Sequence, residues 1–267
     1  MTADTRVAAA VRAANDDGRA ALIIYLPAGF PDMDTSRACL EAAAEAGADL
    51  LEVGFPYSDP LMDGATIQAA SQVALDHGYT PVDDLAMCAE LTAAVAVPAL
   101  LMTYANLAWH FGGTDRFEQF AAAAAGAGLA GAILPDLPAQ EGGGWAEVAG
   151  RHGLATVFLA APTSTDERLA AVAAVSTGWV YATSTLGVTG ERQSLSGMAQ
   201  PLVRRLRAVT DKPIAVGIGV TTGDHAREVA TFADGVIVGS AVVRAAQTGG
   251  PAAVKELVAE LAAGCRR

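Results

Sequence analysis

Two carboxylates mark the stretch Leu51-Glu52-Val53-Gly54-Phe55-Pro56-Tyr57-Ser58-Asp59-Pro60-Leu61-Met62-Asp63-Gly64. Glu52 lies inside an apolar run, between Leu50, Leu51 and Val53. Burying an unpaired carboxylate is costly, and partial desolvation raises its pKa until it can donate a proton near neutral pH. A structural glutamate paired with an interior cation or hydroxyl fits the same position. Asp63 follows in a Pro- and Gly-rich loop just before a helical pattern, where an aspartate taken alone is an N-cap.

A second group of residues suits an anion. Glycines recur where three successive apolar runs end: Gly187 and Gly190 beyond Tyr181, then Gly217 and Gly219, then Gly239 beside Ser240. Such glycines let backbone N–H groups approach a phosphate, and a helix starting after Gly239 adds a favourable dipole. Tight turns that merely need glycine are the alternative. Only two lysines are present: Lys212 precedes an apolar run, at its wrong end for catalysis, and Lys255 falls in the last helical pattern. No Schiff-base lysine is therefore expected. The four histidines show no ligand spacing and no metal site is expected. What remains is acid–base chemistry on a phosphorylated substrate.

These residues need elements to carry them. Apolar runs without strict alternation, as in parallel strands covered on both faces, predict strands over Ala21–Leu26, Leu50–Val53, Ala99–Thr103, Gly131–Leu134, Thr156–Leu159, Trp179–Ala182, Ile214–Val216 and Val236–Val238. Alanine-rich helical patterns separate them, with an additional helix over Arg6–Asp16, one over Pro201–Val209 and a last one over Ala252–Ala263. Asp34 and Thr165 are the expected caps of two helices, and Gly47 and Gly126 mark helix ends. Eight β–α units predict an α/β fold, a (β/α)8 TIM barrel with an extra N-terminal helix, over a doubly wound open sheet. No linker or repeat interrupts residues 1–267, so one domain is expected.

Composition narrows the class further. Apolar residues make up 52 %, and a net charge of −12 without a basic cluster argues against nucleic acid. Cys39, Cys88 and Cys265 are widely spaced, which fits a reducing compartment. The N-terminal stretch lacks the apolar core of a signal peptide, and no apolar segment is long enough to span a bilayer. A cytoplasmic location is the expectation.

The segment from Leu51 to Gly64 closely resembles the signature of tryptophan synthase α subunits. Further matches follow in order: Leu26-Pro27-Ala28-Gly29-Phe30-Pro31-Asp32, Met102-Thr103-Tyr104-Ala105-Asn106, Pro135-Asp136-Leu137-Pro138, Gly187-Val188-Thr189-Gly190, Val216-Gly217-Ile218-Gly219-Val220 and Val238-Gly239-Ser240-Ala241. Ala65, Gln140 and Val220 depart from that family's usual proline, glutamate and serine.

The resemblance implies retro-aldol cleavage of indole-3-glycerol phosphate, with Glu52, Asp63 and Tyr181 as the catalytic group. It further implies phosphate binding by Gly190, Gly219, Gly239 and Ser240, and an indole pocket of Tyr25, Leu101 and Met102. The long polar segment from Leu186 to Met198, carrying Thr189 and Arg192, is expected to act as a mobile loop. No cofactor is expected in this chain. The implied partner is a pyridoxal-phosphate β subunit in an α2β2 assembly. Three rivals stand beside this reading. An indole-glycerol-phosphate synthase would want a strand-end lysine. A stand-alone lyase would release indole without a partner, and a decayed binding subunit would not need Glu52, Asp63 and Tyr181.

Overall fold

The computed structural model describes residues 5–113, 117–183, 195–217 and 219–267. Its elements run α1 (Arg6–Asp16), β1 (Ala21–Pro27), α2 (Met33–Glu45), β2 (Leu50–Gly54), α3 (Ala65–Asp76), α4 (Pro81–Ala94), β3 (Ala99–Met102), α5 (Ala105–His110), α6 (Phe117–Gly126), β4 (Gly131–Ile133), α7 (Gly143–Arg151), β5 (Ala155–Ala160), α8 (Asp166–Val175), β6 (Val180–Thr183), α9 (Leu195–Arg207), β7 (Ile214–Gly217), α10 (Gly223–Ala230), β8 (Gly235–Val238) and α11 (Ser240–Gly264). The eight strands close in chain order into a parallel barrel, with β8 pairing back to β1. The closed (β/α)8 barrel with a helix ahead of its first strand agrees with the sequence expectation, and the open sheet is excluded.

Strand side chains alternate between two cores, because successive Cβ atoms point to opposite faces. In β1, Ala21 and Ile23 face inward, whereas Leu22, Ile24 and Leu26 pack under the helices. In β2, Leu50 faces inward while Leu51 and Val53 face outward, which puts Glu52 on the inner face. The wide outer layer explains the alanine content, since small helix faces sit close against the strands. Helix α1 adds Val7, Val11 and Ala14 to the inner cluster that also holds Trp179. Its cap, Thr5, accepts from the Ala8 N–H (3.2 Å) and donates to the Thr177 carbonyl (2.9 Å).

Several boundaries differ from expectation for identifiable reasons. Asp32, not Asp34, caps α2: its Oδ1 accepts from the Thr35 N–H at 2.8 Å, and Asp34 lies in the first turn. Helix α9 starts at Leu195, with Pro201 inside it rather than at its start. The last helix begins at Ser240 and kinks at Gly250, whose φ of 58° suits glycine, with Pro251 next. The short α5 had no pattern long enough to announce it.

Lys212 stands ahead of β7 and donates to the carbonyls of Ala173 (2.6 Å) and Ser176 (2.6 Å), so it closes the end of α8. The three cysteines are free and buried. Among the described residues no helix is long and apolar enough to cross a membrane.

Candidate active site

A cavity of about 540 Å³ opens at the C-terminal ends of the strands, where barrel enzymes carry their chemistry. Tyr25, Glu52, Met102, Leu159, Tyr181 and Ile237 supply its inner walls, each from an inward-facing strand position. Asp63 reaches in from the loop behind β2. Gly219, Thr221, Gly239, Ser240 and Arg244 line the side beyond the ends of β7 and β8.

Glu52 is 1 % exposed. Neither of its carboxylate oxygens has a hydrogen-bond partner among the described residues, so the structural ion pair considered above is not formed there. Burial pushes its pKa from 4.5 up to about 8, leaving the carboxyl mostly protonated at neutral pH. Asp63 is held differently. Its Oδ2 accepts from the Tyr104 hydroxyl at 3.2 Å. Burial raises its pKa to about 6, with the Tyr104 hydrogen bond pulling the other way. It does not cap α3, whose cap is Gly64 with no side-chain bond. The barrel thus sets one protonated and one largely ionised carboxyl around one cavity, the pattern that separates an acid from a charge stabiliser.

Tyr25 and Tyr181 stay protonated, raised well above the usual phenol value by burial and then by the nearby Asp63 and Glu52 charges. Each phenol lies over the glycine that ends the next strand. A Cβ at Gly54 would fall 2.2 Å from the Tyr25 hydroxyl, and one at Gly217 would fall 2.6 Å from that of Tyr181. The glycines here make room for aromatic rings.

Met102 and Tyr25 line the cavity as expected, but Leu101 does not. It is fully buried in the outer core under the helices, because β3 turns Leu100 and Met102 inward and Leu101 outward. Gly219, Gly239 and Ser240 are brought together at one side of the cavity. Gly190, Thr189 and Arg192 lie outside the described residues.

The sequence reading missed Arg244, Thr221, Thr183 and Tyr104. Arg244 follows Ser240 by one helical turn, on the same face. A helix is expected after Gly239 for the dipole at its start, and the side chains of its second turn carry no separate signal. The Arg244 guanidinium makes no ion pair among the described residues, although it lines a cavity that also holds two carboxyls. No cluster of three His, Cys, Asp or Glu able to hold a metal ion occurs among the described residues.

Fold and site define a (β/α)8 barrel with a two-carboxyl cavity and a glycine-lined corner at the start of α11. A profile of the family described as "Tryptophan synthase alpha chain" matches residues 11–266. The tryptophan synthase alpha chain of Streptomyces avermitilis is 50 % identical over 95 % of this chain and 92 % of its own length. That of Mycobacterium avium is 47 % identical over 98 % of this chain and 95 % of its own. Among solved structures, Mycobacterium tuberculosis tryptophan synthase superposes with a TM-score of 0.90 at 44 % identity, covering 99 % of this chain and 100 % of that one. The alpha subunit from Legionella pneumophila gives 0.85 at 30 % identity, covering 98 % and 99 %. The chain belongs to the tryptophan synthase alpha chain family, and it is a lyase that cleaves indole-3-glycerol phosphate in tryptophan biosynthesis.

Proposed function

We propose that Glu52 and Asp63 divide the acid–base work of this cleavage. The carrying observation is the buried, unpartnered Glu52 carboxyl facing the same cavity as Asp63. A carbon–carbon bond to indole C3 breaks only when C3 has first been protonated, because the resulting indoleninium cation is the electron sink. Glu52, neutral near pH 7, donates that proton. Its carboxylate then takes the proton of the hydroxyl on the carbon attached to C3. The O–H electron pair becomes the aldehyde C=O, and the C–C pair restores the aromatic ring. Indole and glyceraldehyde 3-phosphate result, and Glu52 ends protonated as it began.

Asp63, ionised, accepts the indole N–H and stabilises the positive charge that grows there. Tyr181 and Tyr25 give neutral walls beside the acid, and Met102 adds an apolar surface for the ring. The phosphate rests on the N–H groups of Gly219, Gly239 and Ser240 at the start of α11. Gly190 is assigned to the same anion, and Thr189 and Arg192 to the loop over it, by resemblance alone. The family also supports a pyridoxal-phosphate β subunit as partner in an α2β2 assembly.

Glu52→Gln keeps the shape and removes the acid. Cleavage is expected to fall by about 100-fold or more, with affinity for a substrate analogue within a few-fold. A variant keeping a tenth of the wild-type rate would sink the assignment.

A further inference from the structure

Asp63 sits on a loop, yet its proposed role needs a fixed direction and a dependable charge. Tyr104 supplies a bracket for both. Its hydroxyl accepts from the Met62 N–H at 2.9 Å and donates to Asp63 Oδ2 at 3.2 Å. One phenol thus holds the peptide leading into Asp63 and the carboxylate itself. Tyr104 is 5 % exposed, and both its ring and its chain neighbours are tied to the surrounding loops. It stacks on Tyr57, with ring centroids 4.9 Å apart and 17° between planes. The Asn106 side-chain amide donates to the Tyr57 hydroxyl at 3.1 Å. The Ala105 N–H, next in the chain, donates to Asp136 Oδ1 at 2.8 Å. The Tyr104 side chain joins the loops behind β2 and β3, and the backbone of its neighbour Ala105 ties in the loop behind β4.

We infer that Tyr104 is a positioning residue for the cleavage reaction, holding Asp63 in the cavity as the ionised acceptor of the indole N–H. The inference rests on the two-carboxyl reading above. The hydroxyl acts through hydrogen bonds that favour the charged carboxylate. Burial opposes that charge, and the Tyr104 bond is the interaction that lowers the Asp63 pKa. The other titratable groups around this charge are Tyr25 from β1, Glu52 from β2 and Tyr181 from β6, with Asp136 near Tyr104 itself and Arg244 lining the cavity from α11. Among the described residues Tyr104 is the one side chain that donates a hydrogen bond to the Asp63 carboxylate.

The test is the pH dependence of kcat for indole-3-glycerol phosphate in wild type, Tyr104→Phe and Asp63→Asn. Phenylalanine keeps the stack on Tyr57 and deletes only the hydroxyl. The acidic limb of the Tyr104→Phe profile is expected to move up by roughly 0.5–1 pH unit, while the alkaline limb stays in place. The rate deficit is then roughly 3- to 10-fold below the limb and all but disappears by pH 8, since higher pH ionises Asp63 without help. Asp136→Ala, which unties Ala105 without touching the hydroxyl, is expected to shift the limb the same way by less. A merely structural tyrosine would lower the whole profile in parallel. Parallel profiles together with an inactive Asp63→Asn would overturn the positioning role alone. An Asp63→Asn variant with wild-type rate would overturn both this role and the two-carboxyl reading.

Discussion

Burying Glu52 without a partner has a thermodynamic consequence that Glu52→Gln makes visible. In the unfolded chain the carboxyl ionises near 4.5, and in the barrel near 8. Between those values the folded state holds a proton that the unfolded state has released. Wild-type stability therefore falls as pH rises through that window. Each pKa unit is worth about 1.4 kcal/mol. At pH 5 the penalty is under about 1 kcal/mol, at pH 7 it reaches about 3 kcal/mol, and above pH 8 it levels off near 5 kcal/mol. Glutamine is neutral throughout and escapes it. The inactive variant should thus be the more stable one, by an amount that grows with pH. For a chain of this size about 3 kcal/mol corresponds to roughly 6–12 °C in Tm. Differential scanning fluorimetry and urea unfolding of both proteins from pH 5 to 8 measure the gap. Asp84, 2 % exposed with an unpartnered Oδ1 and a pKa pushed to about 8 by burial, offers a matched comparison far from the chemistry. Asp84→Asn should show the same growing gain with unchanged kinetics. A wild-type-to-Glu52→Gln gap that stays constant from pH 5 to 8 would refute the reasoning, because it would mean that Glu52 ionises equally in both states.

Two further outcomes follow from the cavity. Arg244 lines the cavity one turn beyond Ser240, within reach of an anion held there, so Arg244→Ala is expected to raise KM about 10-fold while kcat stays within about 2-fold, the loss of one exposed charge-assisted contact to a phosphate. A fall confined to kcat would remove Arg244 from phosphate binding. Leu101→Ala should cost about 2–5 kcal/mol of stability through an outer-core cavity without altering KM. Met102→Ala should raise KM instead, and the opposite assignment in steady-state kinetics would show that β3 faces the other way.

The barrel was legible because every strand is a short apolar run, and parallel pairing asks little more of a sequence than that. Glu52 was legible for the same reason, as a charged residue inside such a run with no nearby partner in the chain. Strand parity is legible too, and it turns Leu101 away from the cavity. Leu100 pairs with Glu52 across the β2–β3 ladder, so residues sharing the Glu52 face are Leu100 and Met102. Gly249-Gly250-Pro251 reads as a helix start, which concealed that the helix after Gly239 and the last helix are one kinked α11; Arg244 was hidden because a single arginine on a helix is by itself an ordinary surface residue. Tyr104 was hidden more deeply. Its bond to Asp63 joins residues 41 apart in sequence, and no local pattern encodes a contact made only when two loops meet over a closed barrel. The N-cap reading of Asp63 failed for a related reason: the chain turns at Pro60 and Asp63, with the Asp63 N–H on the Pro60 carbonyl at 3.0 Å, which leaves Gly64 to begin the helix.

The central claim is that Glu52 delivers its own proton, and the alkaline side of the kcat/KM profile for indole-3-glycerol phosphate tests it most directly. A general acid works only while protonated, so kcat/KM should hold to about pH 7.5 and then fall tenfold per unit beyond about 8, the value set by burial of Glu52. A rate that stays level or climbs through pH 9.5 in a folded enzyme would show that the proton reaching indole C3 does not come from Glu52.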